Sequence, residues 1–100
     1  MGSEGGPVMA KLVKQALDNC PDTKIALSGY SQGGFVVSNA ISQSGVSKDD
    51  VAAAVLYGDP SRNPAGGLDK SKIKSYCASG DGVCETGGFA ITAAHLAYTT

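Results

Sequence analysis

The sequence holds 100 residues, 42% of them hydrophobic and 17% charged, and eight Lys and Arg against nine Asp and Glu leave a formal charge of −1. That balance describes one globular unit of residues 1–100 and argues against a disordered chain, and the scattered cations form no basic stripe, so nucleic acid is excluded as a partner. No run reaches the roughly 18 apolar residues of a membrane span, and Met1 to Gly6 lacks the charged and then apolar pattern of a signal peptide, so any export signal is expected outside this chain.

Pro7 can open a helix, and Val8, Met9, Leu12, Val13, Ala16 and Leu17 recur at helical spacing until Asn19-Cys20-Pro21 stops the run, which predicts a first helix over Pro7 to Asn19. Lys24 to Ser28 is short, mostly apolar and followed by glycine, as suits a buried strand. From Ser31 to about Gln43, Phe35, Val36, Ala40 and Ile41 form the apolar stripe of a second helix, with Gly45 as its stop. Val51 to Tyr57 is almost wholly apolar, the pattern of a parallel strand covered on both faces, and Gly58-Asp59-Pro60 ends it. Ser61 to Lys70 reads as loop, Ile73 to Cys77 as a third short strand, and Gly87 to Thr100 carries no clear signal. Strands alternating with helices imply crossovers and a parallel sheet, so the fold class is α/β, without internal repeat or domain boundary.

Gly29-Tyr30-Ser31-Gln32-Gly33 has the Gly-x-Ser-x-Gly pattern of a nucleophile elbow, and it lies where that pattern has meaning, between a predicted strand and a predicted helix. Small residues at both ends let the chain turn abruptly and lift the Ser31 hydroxyl out of the sheet. The Gln32 amide, just after the serine, can face an oxyanion at the start of the helix. The plain alternative is a tight turn in which Ser31 caps the helix. A serine nucleophile needs a base, and His95 is the one histidine. Asp49, Asp50, Asp59, Asp69, Asp81 and Glu85 all lie between the two, which permits the order nucleophile, acid, histidine. A triad acid belongs on a loop leaving a strand end, which leaves Asp59 and Asp81. Asp81 is preferred, because Asp59 reads as a turn residue before Pro60.

Three cysteines are an odd number. Cys77 and Cys84, seven apart around a turn-prone segment, are the natural couple and would pin the Asp81 loop, while Cys20 is left over; three buried reduced cysteines remain an open alternative on spacing alone. One histidine and three cysteines show no paired zinc-ligand spacing, and no Gly-x-Gly-x-x-Gly follows a strand, so no metal and no cofactor is expected.

Cys20-Pro21-Asp22-Thr23-Lys24, Leu27 to Gly33, Val55-Leu56-Tyr57-Gly58-Asp59-Pro60, Tyr76-Cys77 to Cys84, and Ala94-His95-Leu96-Ala97-Tyr98, in that order, resemble the cutinase family over nearly the whole chain. The resemblance implies an α/β-hydrolase fold with Ser31 as nucleophile, Asp81 as acid and His95 as base. It also implies a disulfide between Cys77 and Cys84, Val83 and Leu96 lining the acyl site, secretion, and hydrolysis of ester bonds in cutin or similar lipid polyesters. The ester is then the expected partner, and a monomer the expected state of the complete protein. Members of the family are longer. They carry two earlier strands, a loop supplying a second oxyanion donor, a cysteine that pairs with the equivalent of Cys20, and a C-terminal helix, so the chain is expected to be a fragment. Gly82 stands where a larger apolar residue is common. Related small esterases remove acetyl groups from xylan with the same triad; that activity, a non-catalytic fragment, and a small α/β domain whose serine and histidine are structural are the competing readings.

Overall fold

A computed structural model describes residues 2–88 and 90–99; Met1 and, in the unassigned C-terminal segment, Phe89 and Thr100 lie outside the described residues. The chain runs through helix α1 (Gly5–Asn19), strand β1 (Ile25–Tyr30), helix α2 (Gly33–Ser42), strand β2 (Val51–Tyr57), strand β3 (Ile73–Tyr76) and the five-residue helix α3 (Gly82–Thr86). Short 3-10 turns at Lys48–Asp50, Pro64–Gly67, Lys70–Lys72 and Ala93–Leu96 complete it. The three strands form one parallel sheet in the order β1-β2-β3. No helix of the described residues is long and apolar enough to cross a membrane.

The element types are those the sequence predicts, and the differences lie at their ends. α1 begins at Gly5, before Pro7. Gly5 and Gly6 are poor helix formers held there by packing: a Cβ on Gly5 would lie 2.8 Å from a Val36 methyl, and one on Gly6 would run into the Asn39 side chain of α2. β1 continues two residues past Ser28, because Gly29 and Tyr30 keep pairing with Leu56 and Tyr57. α2 starts at Gly33, leaving Ser31 and Gln32 as the turn between strand and helix. β3 stops at Tyr76, one residue short of Cys77.

The core lies between the sheet and the two long helices. Val37, Ala40 and Ile41 of α2 meet Leu27 of β1 and Val51, Ala54 and Leu56 of β2, with Val13 of α1 behind them. Val51 shares this face with Ala54 and Leu56 because the register slips between Ile25 and Ala26, inserting an extra residue in β2. The expectation that β2 is covered on both faces is not met. Across the opposite face, Tyr30, Tyr57 and Tyr76 stand abreast in register, and Tyr30 and Tyr76 are 46% and 44% exposed. The run Val51 to Tyr57 reads as doubly buried because Ala52, Ala53 and Ala54 fit a covered or an open position equally well.

Candidate active site

All three strands end on one side of the molecule, and the site is built from the turns just beyond them. The ladder closes over each strand end: the Ser31 amide donates to the Tyr57 carbonyl at 2.8 Å and the Gly58 amide to that of Tyr76 at 2.9 Å. Ser31 sits at φ 57°, in the left-handed region that L-residues avoid. That conformation reverses the chain between β1 and α2 and projects the hydroxyl beyond the sheet. Gly29 is required for the same turn, since a Cβ there would lie 2.6 Å from the Gly33 carbonyl oxygen. A Cβ on Gly33 would meet nothing within 4 Å, whereas one on Gly34 would run into the Asp59 carboxylate. The close approach that the motif assigns to its second glycine therefore falls one residue later.

Ser31 Oγ lies 2.9 Å from His95 Nε2, and His95 Nδ1 lies 2.9 and 3.0 Å from the two oxygens of Asp81. The reading of Ser31 as a helix cap does not hold: Gln32 occupies the cap position of α2, no side chain caps the helix, and the serine hydroxyl turns to His95 instead. His95 is 2% exposed and Asp81 fully buried. Burial raises the Asp81 pKa, but hydrogen bonds from Tyr98, from His95 and from the Val83 amide outweigh it and hold the carboxyl below its ordinary value. An ionised Asp81 can only accept, so Nδ1 carries the imidazole hydrogen and the Nε2 lone pair faces the Ser31 hydroxyl. Asp59, the acid not chosen, accepts from the Ser61 amide at 2.9 Å and packs under α2.

Asp81 caps α3 by accepting from the Val83 amide at 3.0 Å, which places it where a short helix begins and its φ/ψ are extended. Cys77 and Cys84 form a disulfide across this loop, with Cα atoms 5.9 Å apart, and Cys20 is free and exposed. The Thr92 hydroxyl donates to the Gly80 carbonyl at 2.8 Å, tying the histidine loop to the aspartate loop. The Gln32 side chain is exposed, and among the described residues no carbonyl accepts its amide. Leu96 is 66% exposed and edges a shallow depression of about 520 Å³ with Tyr30, Tyr57, Tyr98 and Thr99. Val83 departs from expectation: at 1% exposure its side chain offers no surface to an acyl group, and its contribution here is the amide that holds Asp81.

Three supporting residues were not assigned roles by the sequence. Gly58, at φ 59°, lies under the histidine and aspartate, and a Cβ there would come within 2.9 Å of Asp81 Oδ2 and of His95 Nδ1 and Cε1. Tyr30, the variable residue of the elbow motif, stacks on the His95 ring at 5.1 Å and donates to the His95 carbonyl at 2.7 Å. Tyr98 donates to Asp81 Oδ2 at 2.6 Å. All three stand in the segments that carry the family resemblance, but the sequence names no contact for any of them.

A parallel sheet flanked by helices, with a serine on a left-handed strand-to-helix turn and a histidine–aspartate pair on later loops, defines an α/β-hydrolase. A family model described as Cutinase matches residues 2–100. Cutinase 4 of Emericella nidulans is 50% identical over 100 residues, which cover 98% of this chain and 42% of that protein. The cutinase of Monilinia fructicola is 44% identical over 96 residues, 94% of this chain and 47% of its own. Among solved structures, Trichoderma reesei cutinase in complex with a C11Y4 phosphonate inhibitor superposes with a TM-score of 0.81 at 40% identity, over 93% of this chain and 43% of that one. The chain belongs to the cutinase family, and it spans less than half the length of these relatives.

Proposed function

We propose that the protein is a secreted serine esterase that hydrolyses ester bonds of cutin or similar lipid polyesters, and short acyl esters, through an acyl-enzyme on Ser31. The observation that carries this reading is the continuous line from Ser31 Oγ through the His95 ring to Asp81. His95 Nε2 takes the Ser31 proton as Oγ attacks the ester carbonyl, and ionised Asp81 stabilises the imidazolium that forms. The Gln32 amide supports the developing oxyanion at the start of α2. The tetrahedral adduct collapses, His95 returns the proton to the departing alcohol, and water activated by the same imidazole releases the acid. Membership of the cutinase family supports both the substrate class and the extracellular location. The phosphonate on the Trichoderma relative fits the chemistry, since tetrahedral phosphorus resembles a carbonyl carbon under attack.

The test is hydrolysis of p-nitrophenyl butyrate by the whole protein. Ser31→Ala is expected to lower kcat by about a thousandfold or more. More than a tenth of the activity remaining would remove Ser31 from the role. Cutin turned over in preference to acetylated xylan places the enzyme among polyester hydrolases, and the reverse preference refutes the substrate class.

A further inference from the structure

We propose that Tyr98 is a positioning residue for the acid of this site: its phenol, held by the Ala78 amide, donates to Asp81 Oδ2 and fixes the carboxylate against His95. Both faces of the hydroxyl are engaged. Its lone pair accepts from the Ala78 amide at 2.9 Å, and its hydrogen goes to Asp81 at 2.6 Å. The other carboxylate oxygen accepts from the Val83 amide at 3.0 Å. Each Asp81 oxygen thus has its own anchor, and the plane of the carboxylate is set before His95 meets it.

Packing alone does not account for a tyrosine here. The Tyr98 ring makes edge contacts with Tyr30 at 6.0 Å, Tyr57 at 5.9 Å and His95 at 6.4 Å, and a phenylalanine would make all three. A half-buried hydroxyl costs desolvation that its partners must offset, and the partners it finds are the aspartate and the loop that carries the aspartate. Burial, and next the bond to Asp81, also push the Tyr98 phenol above its ordinary pKa, which keeps it a donor through the neutral range.

The titratable groups around Asp81 are few. His95 and Tyr98 face it directly, and Tyr30 lies behind the His95 ring. Asp59, next to Gly58, accepts from Ser61, and the exposed Glu85 accepts from the Gly80 amide at 3.3 Å. Removing the phenol hydroxyl leaves more charge on the carboxylate. Asp81 then protonates more readily, which moves the acid limb of activity toward higher pH.

The inference rests on the esterase reading above, and separate readouts distinguish their failures. With isotope-labelled aspartate in the whole protein, Asp81 in Tyr98→Phe is expected to titrate roughly one pH unit above its wild-type midpoint. The acid limb of kcat/KM for p-nitrophenyl butyrate moves up with it, and kcat falls about tenfold while KM stays nearly constant. Tyr76→Phe, which removes an exposed hydroxyl, leaves the Asp81 titration unmoved; an equal shift in that variant overturns the proposal. So does a Tyr98→Phe protein with the wild-type Asp81 titration and pH profile, while an inactive Ser31→Ala keeps the esterase reading standing. Activity retained by Ser31→Ala sinks that reading and the proposal with it. If Tyr98→Phe does not fold, Asp81→Asn decides, because it leaves the burial of the phenol in place: a Tyr98 titration that moves down in that variant supports the bond to Asp81, and one that stays at the wild-type midpoint refutes it.

Discussion

Gly58 shows how much of the site depends on a residue with no side chain. Its positive φ turns the chain at the end of β2, and the space where a Cβ would stand is taken by Asp81 and His95. Gly58→Ala meets both penalties at once. The backbone conformation alone costs about 1–2 kcal/mol, and the added methyl must push the imidazole or the carboxylate off the line to Ser31. Misplacement of reacting groups by about 1 Å lowers rates by about a hundredfold, so Gly58→Ala is expected to lose activity far beyond its loss of stability. Thermal melting and p-nitrophenyl butyrate kinetics on the same sample check this; a variant that melts early yet turns over normally would show that the methyl is accommodated without moving His95. Ser31, Asp81 and His95 were legible as candidates because residue type, motif and chain order narrow them without a structure. Gly58 and Tyr98 were not, because their parts depend on which atoms meet in space: a glycine after a strand reads as a turn, and a tyrosine three residues past a histidine names no partner for its hydroxyl.

At the level of elements, the junction of β1 and α2 explains why a strand turns into a helix within two residues. Gly29 lets the helix start cross the strand end, and Gly34 lets the Asp59 side chain pack beneath the first turn of α2. Gly33, the glycine of the motif, has open space where a side chain would begin, with nothing within 4 Å. Gly34→Ala is accordingly expected to destabilise the fold by about 1–3 kcal/mol through overpacking. Gly33→Ala should be neutral or stabilise by up to about 1 kcal/mol, because alanine is the better helix former. Urea unfolding of the two variants separates them, and equal losses would contradict the geometry. The helices and strands themselves were readable from periodicity. Their ends were less so, since Gly5, Gly6 and Tyr30 join their elements through tertiary contacts that outweigh local propensity.

Over the molecule as a whole, the long helices α1 and α2 cover one face of the sheet, and among the described residues the other face, with its tyrosine row, has no helix of comparable length packed on it. Among the described residues β1 pairs only with β2, so its other edge carries backbone donors and acceptors without strand partners. The three-tyrosine row adds apolar surface on the open face. The 100-residue chain purified by itself is therefore expected to associate as its concentration rises. Sedimentation velocity over a dilution series reads this directly. Ser28→Lys, which places a charge on the exposed side of β1, should shift the distribution toward monomer; a chain that stays monomeric throughout would show that edge and face are harmless as they stand. The apolar run of β2 could not reveal this asymmetry, because its three alanines are compatible with either environment.

The hydrogen bonds that complete the site join distant parts of the chain: Ser31 and His95 are 64 positions apart, and Tyr30 and His95 are 65 apart. Bringing such positions together costs loop-closure entropy that local contacts do not incur, and contacts of this range slow folding. The β1-turn-α2 unit can form early from neighbouring residues, but it holds a serine with no base beside it. The contact from Ser31 to His95 forms only when the C-terminal segment docks. The turn that carries Ser31 is thus local in sequence while its hydrogen-bond partner is remote, so a chain folded only as far as β2 is expected to hold the turn without the contact to His95.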